Sequence, residues 1–483
     1  MKVPWRIADD SMNRKCDDEV KPMRITRISV DGLFGMFNHD IGMKLDDRIT
    51  IIHGMNGYGK TTILRMVNAL FNKRYSDLRT TPFKEFRVEL EDDSTVSVTK
   101  LNGERAGTGN RRRSHGIQAR LLRKGREVEK SDFVSPTQED MEAHFAIPPF
   151  EQLIVGIVRE GRHTWRYVPT NEELSFEDVV DRFADQMPQG FFKKERPSVE
   201  WLHHLQKSVK VRFIESQRLL RLSKGNVHRR PHEYEISPAL ELSVAVHAND
   251  LAKAIQGKLA EYATLSQSLD RTFPGRLVEH MQSATVYPTD SIAQLREKLN
   301  KLEEKRNRLQ DAGLLDKQED LRFQVPEELQ EPTQRVLPVY VTDVEKKLGV
   351  FDDIAAKIDL LKDIVNSRFP YKKISIDKEK GFVFRTDGGQ PLNPSHLSSG
   401  EQHMLVLFSE LLFRVESNSL VMIDEPEISL HVTWQKQFLR DLQQVTELAS
   451  FDVLIATHSP QIVHDRWDDL TVELQGMTAE QPV

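Results

Sequence analysis

The sequence predicts an α/β fold: a mixed sheet with an antiparallel β subdomain, interrupted by a helical insert that forms a short coiled-coil-like hairpin. Three observations predict it. A strand, a glycine-rich loop and a helix follow one another over residues 48–71. An apolar strand runs into paired carboxylates over residues 420–427. A charge-rich helical stretch, residues 238–367, separates these two parts.

The glycine-rich loop is the most specific local pattern. Residues 54–61 match the Walker A motif, G-x-x-x-x-G-K-T, in its required place between a strand and a helix, and Thr62 completes the stretch. The glycines let backbone N–H groups close on phosphates at the positive end of a helix dipole. We expect Lys60 to reach the β- and γ-phosphates of a nucleotide and Thr61 to ligate Mg²⁺.

The paired carboxylates Asp424 and Glu425 follow four apolar residues. Such a run suits a strand buried on both faces, and open α/β sheets place their ligands at the C-terminal ends of strands. Asp424 is then placed to hold Mg²⁺ through water, and Glu425 to polarise the water that attacks a γ-phosphate. Two acids after a strand could also be an ordinary strand end, so the interpretation depends on the motifs around them.

A second candidate anion site precedes the acidic strand. Residues 397–402, Leu-Ser-Ser-Gly-Glu-Gln, open an apolar helix. The N–H groups of Ser399 and Gly400 at the helix start can bind an anion, and Glu401 lies beside them. The alternative is an ordinary helix N-cap.

Two further candidates each follow a predicted strand. His458 comes directly after the apolar stretch 451–457, which we expect to lie beside the acidic strand, and we interpret it as a γ-phosphate sensor. The alternative is a solvated turn residue. Gln217 follows the strand predicted over 209–215 and is a candidate to contact Mg²⁺ or the attacking water; the alternative is an ordinary polar loop residue.

The rest of the chain is divided by changes in pattern. The predicted segments are a polar N-terminal arm (1–22), the Walker A half of the lobe (23–136), a helical segment with a return strand (137–237), the helical insert (238–369) and the half with the acidic pair (370–483). Hairpins are predicted over 86–99 and 372–385, and mostly helix over 137–208. Apolar residues in 3-4-3 spacing between Ile292 and Leu309 cover less than three heptads, so we interpret them chiefly as core.

Bulk properties exclude some classes of function. The 483 residues carry a formal net charge of -6. The chain therefore has no overall excess of basic residues of the kind that would indicate nucleic-acid binding. Residues 102–126 are rich in arginine and could bind nucleic acid or an acidic partner; a solvated loop is the alternative. One cysteine, no signal-peptide core and no apolar stretch long enough for a bilayer predict a cytoplasmic protein that does not bind membranes.

In their order along the chain, the Walker A loop, the Leu-Ser-Ser-Gly-Glu-Gln signature, the acidic pair and the histidine resemble ABC-type ATPases. The chain is most similar to the heads of the SMC, Rad50 and RecF group and of the overcoming-lysogenization-defect nucleases. That resemblance implies ATP and Mg²⁺ as cofactors and two heads bound head to tail, with Ser399 and Gly400 of one subunit closing over the nucleotide of the other. It also implies the residues Asn56, Gly57 and Gly59 for the phosphate loop, and Glu427, Ser429 and His431 for a loop that couples subunits.

Two departures refine the resemblance. The insert lacks long heptads, so no far-reaching coiled-coil arm is expected. Only 25 residues follow His458, too few for a TOPRIM nuclease domain. The chain therefore resembles the stand-alone ATPases of the PARIS anti-phage system and of Septu and retron systems. These imply a homo-oligomer, a separate TOPRIM- or HNH-type effector and a phage-encoded trigger. A RecF-like DNA repair ATPase is the alternative function.

Overall fold

The structure is a computed structural model, and it describes thirteen stretches of the chain. They are 21–101, 116–134, 150–154, 156–161, 164–168, 172–183, 199–215, 220–223, 239–282, 292–316, 331–428, 430–463 and 466–474. Gln217, Ser429, residues 1–20 of the N-terminal arm and residues 102–115 of the arginine-rich stretch lie outside these residues, so the interpretations given to them stay predictions.

The described residues form nineteen strands. They are β1 (Ile25–Leu33), β2 (Phe37–Gly42), β3 (Ile49–His53), β4 (Glu85–Leu90), β5 (Ser94–Leu101), β6 (Gly116–Arg123), β7 (Arg126–Val134), β8 (Ile157–Arg159), β9 (Thr164–Tyr167), β10 (Glu172–Ser175), β11 (Val211–Ile214), β12 (Leu220–Ser223), β13 (Ala239–Leu242), β14 (Lys372–Asp377), β15 (Gly381–Thr386), β16 (Pro391–Leu392), β17 (Leu420–Asp424), β18 (Asp452–Thr457) and β19 (Thr471–Glu473).

The described residues also form thirteen α-helices. They are α1 (Lys60–Phe71), α2 (Tyr75–Thr80), α3 (Phe150–Leu153), α4 (Phe176–Phe183), α5 (Glu200–Ser208), α6 (Ser243–Gln282), α7 (Ile292–Asp311), α8 (Glu331–Gly349), α9 (Asp352–Arg368), α10 (Ser399–Phe413), α11 (Val432–Ala449), α12 (Pro460–Val463) and α13 (Trp467–Leu470). In the described residues, no helix is both long and apolar enough to span a membrane.

A parallel sheet joins the two ends of the chain. Its order is β11-β17-β18-β3-β19, and every neighbouring pair is parallel. Alternate residues face opposite cores: Ile51 and Ile455 belong to one apolar cluster, and Ile52 and Leu454 to the other. Both faces are therefore covered, as the apolar runs predicted. All five strands end at one edge, where the candidate residues collect.

An antiparallel sheet, β2-β1-β4-β5-β6-β7, packs beside α1 in the second of these clusters. It contains the predicted hairpin β4–β5, and β14–β15 forms the other predicted hairpin. Arg24, which directly precedes β1, fixes this sheet to the parallel one, because its Nε and Nη2 donate to Asp452 of β18 at 2.7 and 2.6 Å. Such a two-pronged guanidinium–carboxylate pair is geometrically specific.

The predicted insert is helical, but it is not a separate body. Residues of α6, α7, α8 and α9 share one apolar cluster with the parallel sheet and with β14 and β15. Leu295, Leu302 and Leu309 of α7 are buried, which confirms that their stripe is core. The helix α9 packs on β14, α10 and α11, which follow the predicted boundary at residue 369 in the chain; the boundary stays a prediction.

The prediction of mostly helix over 137–208 is wrong for part of that stretch. Strands β8, β9 and β10 form an antiparallel sheet there. Trp165 of β9 pairs with Leu174 of β10, and both side chains are buried. The next residue of β9, Arg166, is exposed. This alternation of inward and outward residues is that of a strand, over runs too short to stand out in the sequence.

A buried carboxylate joins three elements near the sheet. Glu410 of α10 accepts a hydrogen bond from Arg212 Nε of β11 at 2.7 Å and lies 3.1 Å from His247 Nε2 of α6. Arg414, the residue that follows α10, forms an ion pair with Asp250 of α6. Burial acts to raise the pKa of Glu410, but the bonds and charges of His247 and Arg212 outweigh it and lower that pKa to about 2.

We expect Glu410→Gln to lower the free energy of unfolding by roughly 3 kcal/mol near neutral pH, because Arg212 and His247 lose a buried counter-charge. The folded pKa of Glu410 is depressed, so its contribution is complete above its ordinary value of 4.5 and is lost as pH falls toward about 2. Urea unfolding at neutral pH and at a pH well below 4.5, the ordinary pKa of a glutamate, measures this.

Glu416→Gln is the matched control, because Glu416 is 67% exposed and pairs with Lys210 at the surface. It should change the free energy of unfolding by less than about 1 kcal/mol. Equal losses in the two variants, or a Glu410→Gln loss that does not depend on pH, would contradict the assignment.

Candidate active site

The glycine-rich loop turns from β3 into α1 at the edge of the parallel sheet. Gly57 and Gly59 have φ of +90° and +86°, in the left-handed region that favours glycine. Gly59 also lies against the antiparallel sheet, since a Cβ there would be 2.5 Å from Leu33 Cδ2. Asn56 and Gly57 are exposed at the tip of the loop. The loop therefore presents backbone N–H groups at a helix start, the arrangement that binds phosphate.

Lys60 is the first residue of α1, and it is 5% exposed. Its Nζ donates to the carbonyl oxygens of Gly54 and Met55 at 2.7 and 3.2 Å and lies 3.1 Å from His458 Nδ1. Burial lowers the pKa of Lys60, and the negative charges of Glu425, Asp424 and Glu427 oppose that lowering. The ammonium group is thus held where the predicted acids and histidine meet.

Thr61 and Asp424 are in direct contact, although 363 positions separate them. The Thr61 hydroxyl donates to Asp424 Oδ1 at 2.9 Å. Burial raises the pKa of Asp424, and this hydrogen bond opposes the rise. A hydroxyl and a carboxylate are hard oxygen donors of the kind that Mg²⁺ binds, so these residues fit that ion. Thr62, next in the first turn of α1, is half-buried.

Glu425 and His458 face each other across the ends of β17 and β18. His458 Nε2 lies 3.6 Å from Glu425 Oε1, and both side chains are 30% exposed. Glu425 has a φ of +43°, uncommon for a residue with a Cβ, and its N–H donates to Ala456 O at 2.8 Å. Because the Lys60 ammonium can only donate, His458 Nδ1 accepts, which leaves the proton on Nε2, toward Glu425.

The signature stretch begins α10 as a capping box. Ser398 is the N-cap, and its N–H and hydroxyl donate to Glu401 Oε2 at 2.7 and 2.9 Å. Lys372 Nζ contacts both oxygens of the Glu401 carboxylate at 2.8 Å. Glu401 therefore supports the turn, and its part in nucleotide binding stays a prediction. Ser399 is exposed and Gly400 half-buried. Among the described residues, no hydrogen bond joins these two to the phosphate loop.

Sequence reasoning missed some contacts around the loop. His39 of β2 is buried, and its Nε2 lies 2.8 Å from the Tyr58 carbonyl oxygen. Burial lowers the pKa of His39, so the neutral ring supports the loop from behind. In the sequence this histidine is one inward residue of an alternating strand, with no local signal. Its role follows only from the packing of β2 under the phosphate loop.

We expect Gly59→Ala to lower the free energy of unfolding by about 1–3 kcal/mol more than Gly57→Ala, because only the former pushes a methyl group into Leu33. Both variants force alanine into the left-handed region, and nothing lies within 4 Å of the Cβ position at Gly57. Chemical denaturation of the two variants measures the difference. Equal losses would show that Gly59 is kept for its backbone angle alone.

The phosphate loop lies between strand β3 and helix α1, and the acidic pair lies at the end of β17, which is two strands away from β3 in the sheet. This arrangement defines a P-loop ATPase domain. The predicted fold class, an α/β P-loop head with a mixed set of sheets and a helical insert, is confirmed by this topology. Comparisons with known proteins agree. Residues 33–336 match the family described as "AAA domain", and residues 235–464 match one described as "AAA domain, putative AbiEii toxin, Type IV TA system". The first match covers more than half of the chain, which belongs to this AAA domain family.

The individual proteins that match this chain do so over a short stretch or at low sequence identity. Protein ea59 of Escherichia phage lambda is 36% identical over 69 residues, which is 14% of this chain and only 13% of that protein. Among solved structures, the Pyrococcus furiosus Smc head domain bound to the C-terminal domain of ScpA is 13% identical, with a TM-score of 0.33 over 93% of each chain. The SMC head domain of Thermotoga maritima is 12% identical, with a TM-score of 0.29 over 91% of each chain.

Proposed function

We propose that this protein binds ATP with Mg²⁺ and hydrolyses it to ADP and phosphate. One observation carries the proposal: His458 stands between Lys60, at 3.1 Å, and Glu425, at 3.6 Å, while Thr61 contacts Asp424. A phosphate-binding cation, a pair of Mg²⁺-type oxygen donors, a candidate base and a proton donor thus converge beside a phosphate loop. Catalysis of phosphoryl transfer needs such positioning and charge stabilisation rather than covalent chemistry.

Each residue has a distinct role in this proposal. Lys60 and the loop N–H groups bind the β- and γ-phosphates. Thr61 and Asp424 hold Mg²⁺, which when bound neutralises phosphate charge. Glu425 orients and deprotonates the attacking water, and the Nε2–H of His458 donates a hydrogen bond toward the γ-phosphate.

We expect Glu425→Gln to bind ATP but to lose at least about a hundredfold in kcat, because the amide cannot accept the proton of water. Lys60→Ala should instead lose ATP binding itself. Steady-state hydrolysis together with equilibrium binding of a fluorescent ATP analogue separates the two effects. Hydrolysis by Glu425→Gln at the wild-type rate would contradict the role of Glu425.

The proposal includes a head-to-tail dimer that closes on ATP. Ser399 lies exposed at the start of α10 and makes no hydrogen bond to the phosphate loop of its own chain within the described residues. Met55 of that loop is 71% exposed, and Met36, whose N–H donates to the carbonyl oxygen of Leu33 in the neighbouring β1–β2 turn, is 51% exposed. Apolar side chains this exposed next to a polar site are typical of a surface that a partner covers. A second copy, presenting its own Ser399 and Gly400, would cover it.

The proposed biological role is that of a sensor and scaffold in anti-phage defence, which oligomerises and controls a separate nuclease or toxin. The family description that matches residues 235–464 names a putative toxin and a toxin–antitoxin system, and the curated relative is a phage protein. Both support a place in conflict between phage and host. A phage-encoded trigger and an effector of the TOPRIM or HNH type belong to this proposal.

DNA repair is the competing function, and one observation favours it. The exposed β6–β7 turn presents Arg123, Lys124 and Arg126 around Gly125. Three cations on a hairpin tip can contact phosphate groups of DNA. Glu127 follows them directly and reduces the local positive charge.

Capture of partners by the Glu425→Gln variant in the presence of ATP separates the two roles. We expect a second protein at fixed stoichiometry and little DNA, because an ATP-closed scaffold retains its effector. A variant in which Arg123, Lys124 and Arg126 are all changed to Ser is the control, and it should capture the same protein. Abundant nuclease-sensitive DNA that the triple variant no longer retains would instead establish DNA binding.

A further inference from the structure

The turn that carries His458 rests on one carboxylate oxygen. Glu427 Oε1 accepts hydrogen bonds from the Thr457 hydroxyl at 2.8 Å, from the His458 N–H at 2.8 Å and from the Ser459 N–H at 3.2 Å. Three donors on one charged acceptor fix both the end of β18 and the direction in which the chain leaves it. The backbone of His458 therefore cannot move independently of Glu427.

The same segment is fixed a second time. Ser459 Oγ donates to Gln435 Oε1 at 2.8 Å, and Gln435 Nε2 donates to the Leu430 carbonyl oxygen at 3.0 Å. The turn after the acidic pair and the turn after β18 thus form one hydrogen-bonded unit. Its position matters, because the His458 ring must stand between Lys60 and Glu425 at contact distances.

The charge of Glu427 also reaches the phosphate loop. Its negative charge acts on Lys60 together with those of Asp424 and Glu425. Its second oxygen, Oε2, is buried and has no hydrogen-bond partner within the part of the chain that the structure describes. A carboxylate oxygen that is buried without a partner is costly, so the position of Glu427 calls for a reason beyond packing.

We propose that Glu427 is a positioning residue for hydrolysis, which holds the His458 ring between the phosphate-loop lysine and the base Glu425. This inference rests on the proposed ATPase function. It assigns Glu427 a role within its own subunit, in addition to the subunit coupling that resemblance implies. Displacement of the ring by about 1 Å is enough to lower a rate about a hundredfold, while the phosphate loop that binds ATP is unchanged.

Two variants and one control test the role. Glu427→Ala removes the acceptor, and Glu427→Gln keeps an oxygen at Oε1 while it removes the charge. Glu447→Ala changes the same residue type at an exposed site on α11. Amide hydrogen exchange is measured over residues 457–461 and over the phosphate loop, and ATP hydrolysis and ATP binding are measured on the same preparations.

For Glu427→Ala we expect exchange at 457–461 to be about 10- to 100-fold faster, because two amides lose a charged acceptor. The kcat should fall at least about tenfold and the ATP dissociation constant should change less than about threefold. Glu427→Gln should recover most of the protection and part of kcat, and Glu447→Ala should match the wild type.

Unchanged exchange at 457–461 in Glu427→Ala would overturn the proposal, and so would a normal kcat despite faster exchange. Faster exchange across the whole protein, unrepaired by Glu427→Gln, would also overturn it, by showing a general structural role. Failure of the proposed function looks different: the wild-type protein would then not hydrolyse ATP, while the local exchange result would still report on Glu427.

Discussion

The parallel pairing of β3 with β18 is the constraint on which the site depends. It places Thr457 beside His53, so that a loop from the beginning of the chain and a histidine from its end meet at one sheet edge. The contact between Lys60 and His458 spans 398 positions. Arg24 clamps the first residue of β18, Asp452, and so fixes the same register from the other end of the strand. A slip of β18 by one residue would move each of its side chains to the opposite face of the sheet and so to the other apolar cluster.

Charged side chains are concentrated at that edge, and burial shifts the pKa values of two of them. Burial lowers the pKa of Lys60 and raises that of Asp424, so burial disfavours the charged form of both groups. Ligands of the opposite charge would relieve both effects, which agrees with the proposed binding of a nucleotide and a cation. Away from the edge, the pKa of the buried acid Glu410 is lowered rather than raised, because Arg212 and His247 stabilise its negative charge. Glu410 links the helix that begins with the signature to the insert helix α6.

Contiguous patterns made much of this structure predictable. The phosphate loop needs fixed residue types at fixed spacing, and a strand buried on both faces must be apolar throughout, so the β3 to α1 unit and β17 were readable directly. The contacts of Glu427 were not, because they depend on which strand lies beside β17 and in what register. The sheet around Trp165 was missed because its strands are only three or four residues long. The role of Gln217 stays a prediction, because this residue lies outside the part of the chain that the structure describes.

The measurement that tests the central claim most directly is ATP hydrolysis by a mixture of two inactive variants, Lys60→Ala and Ser399→Arg. Each damages a different side of the proposed composite site. If the site forms between two copies, mixed dimers contain one intact site, and an equal mixture should recover up to about a quarter of the wild-type rate. A mixture as inactive as its components would contradict a site shared between subunits. It would leave the signature stretch as a structural helix cap.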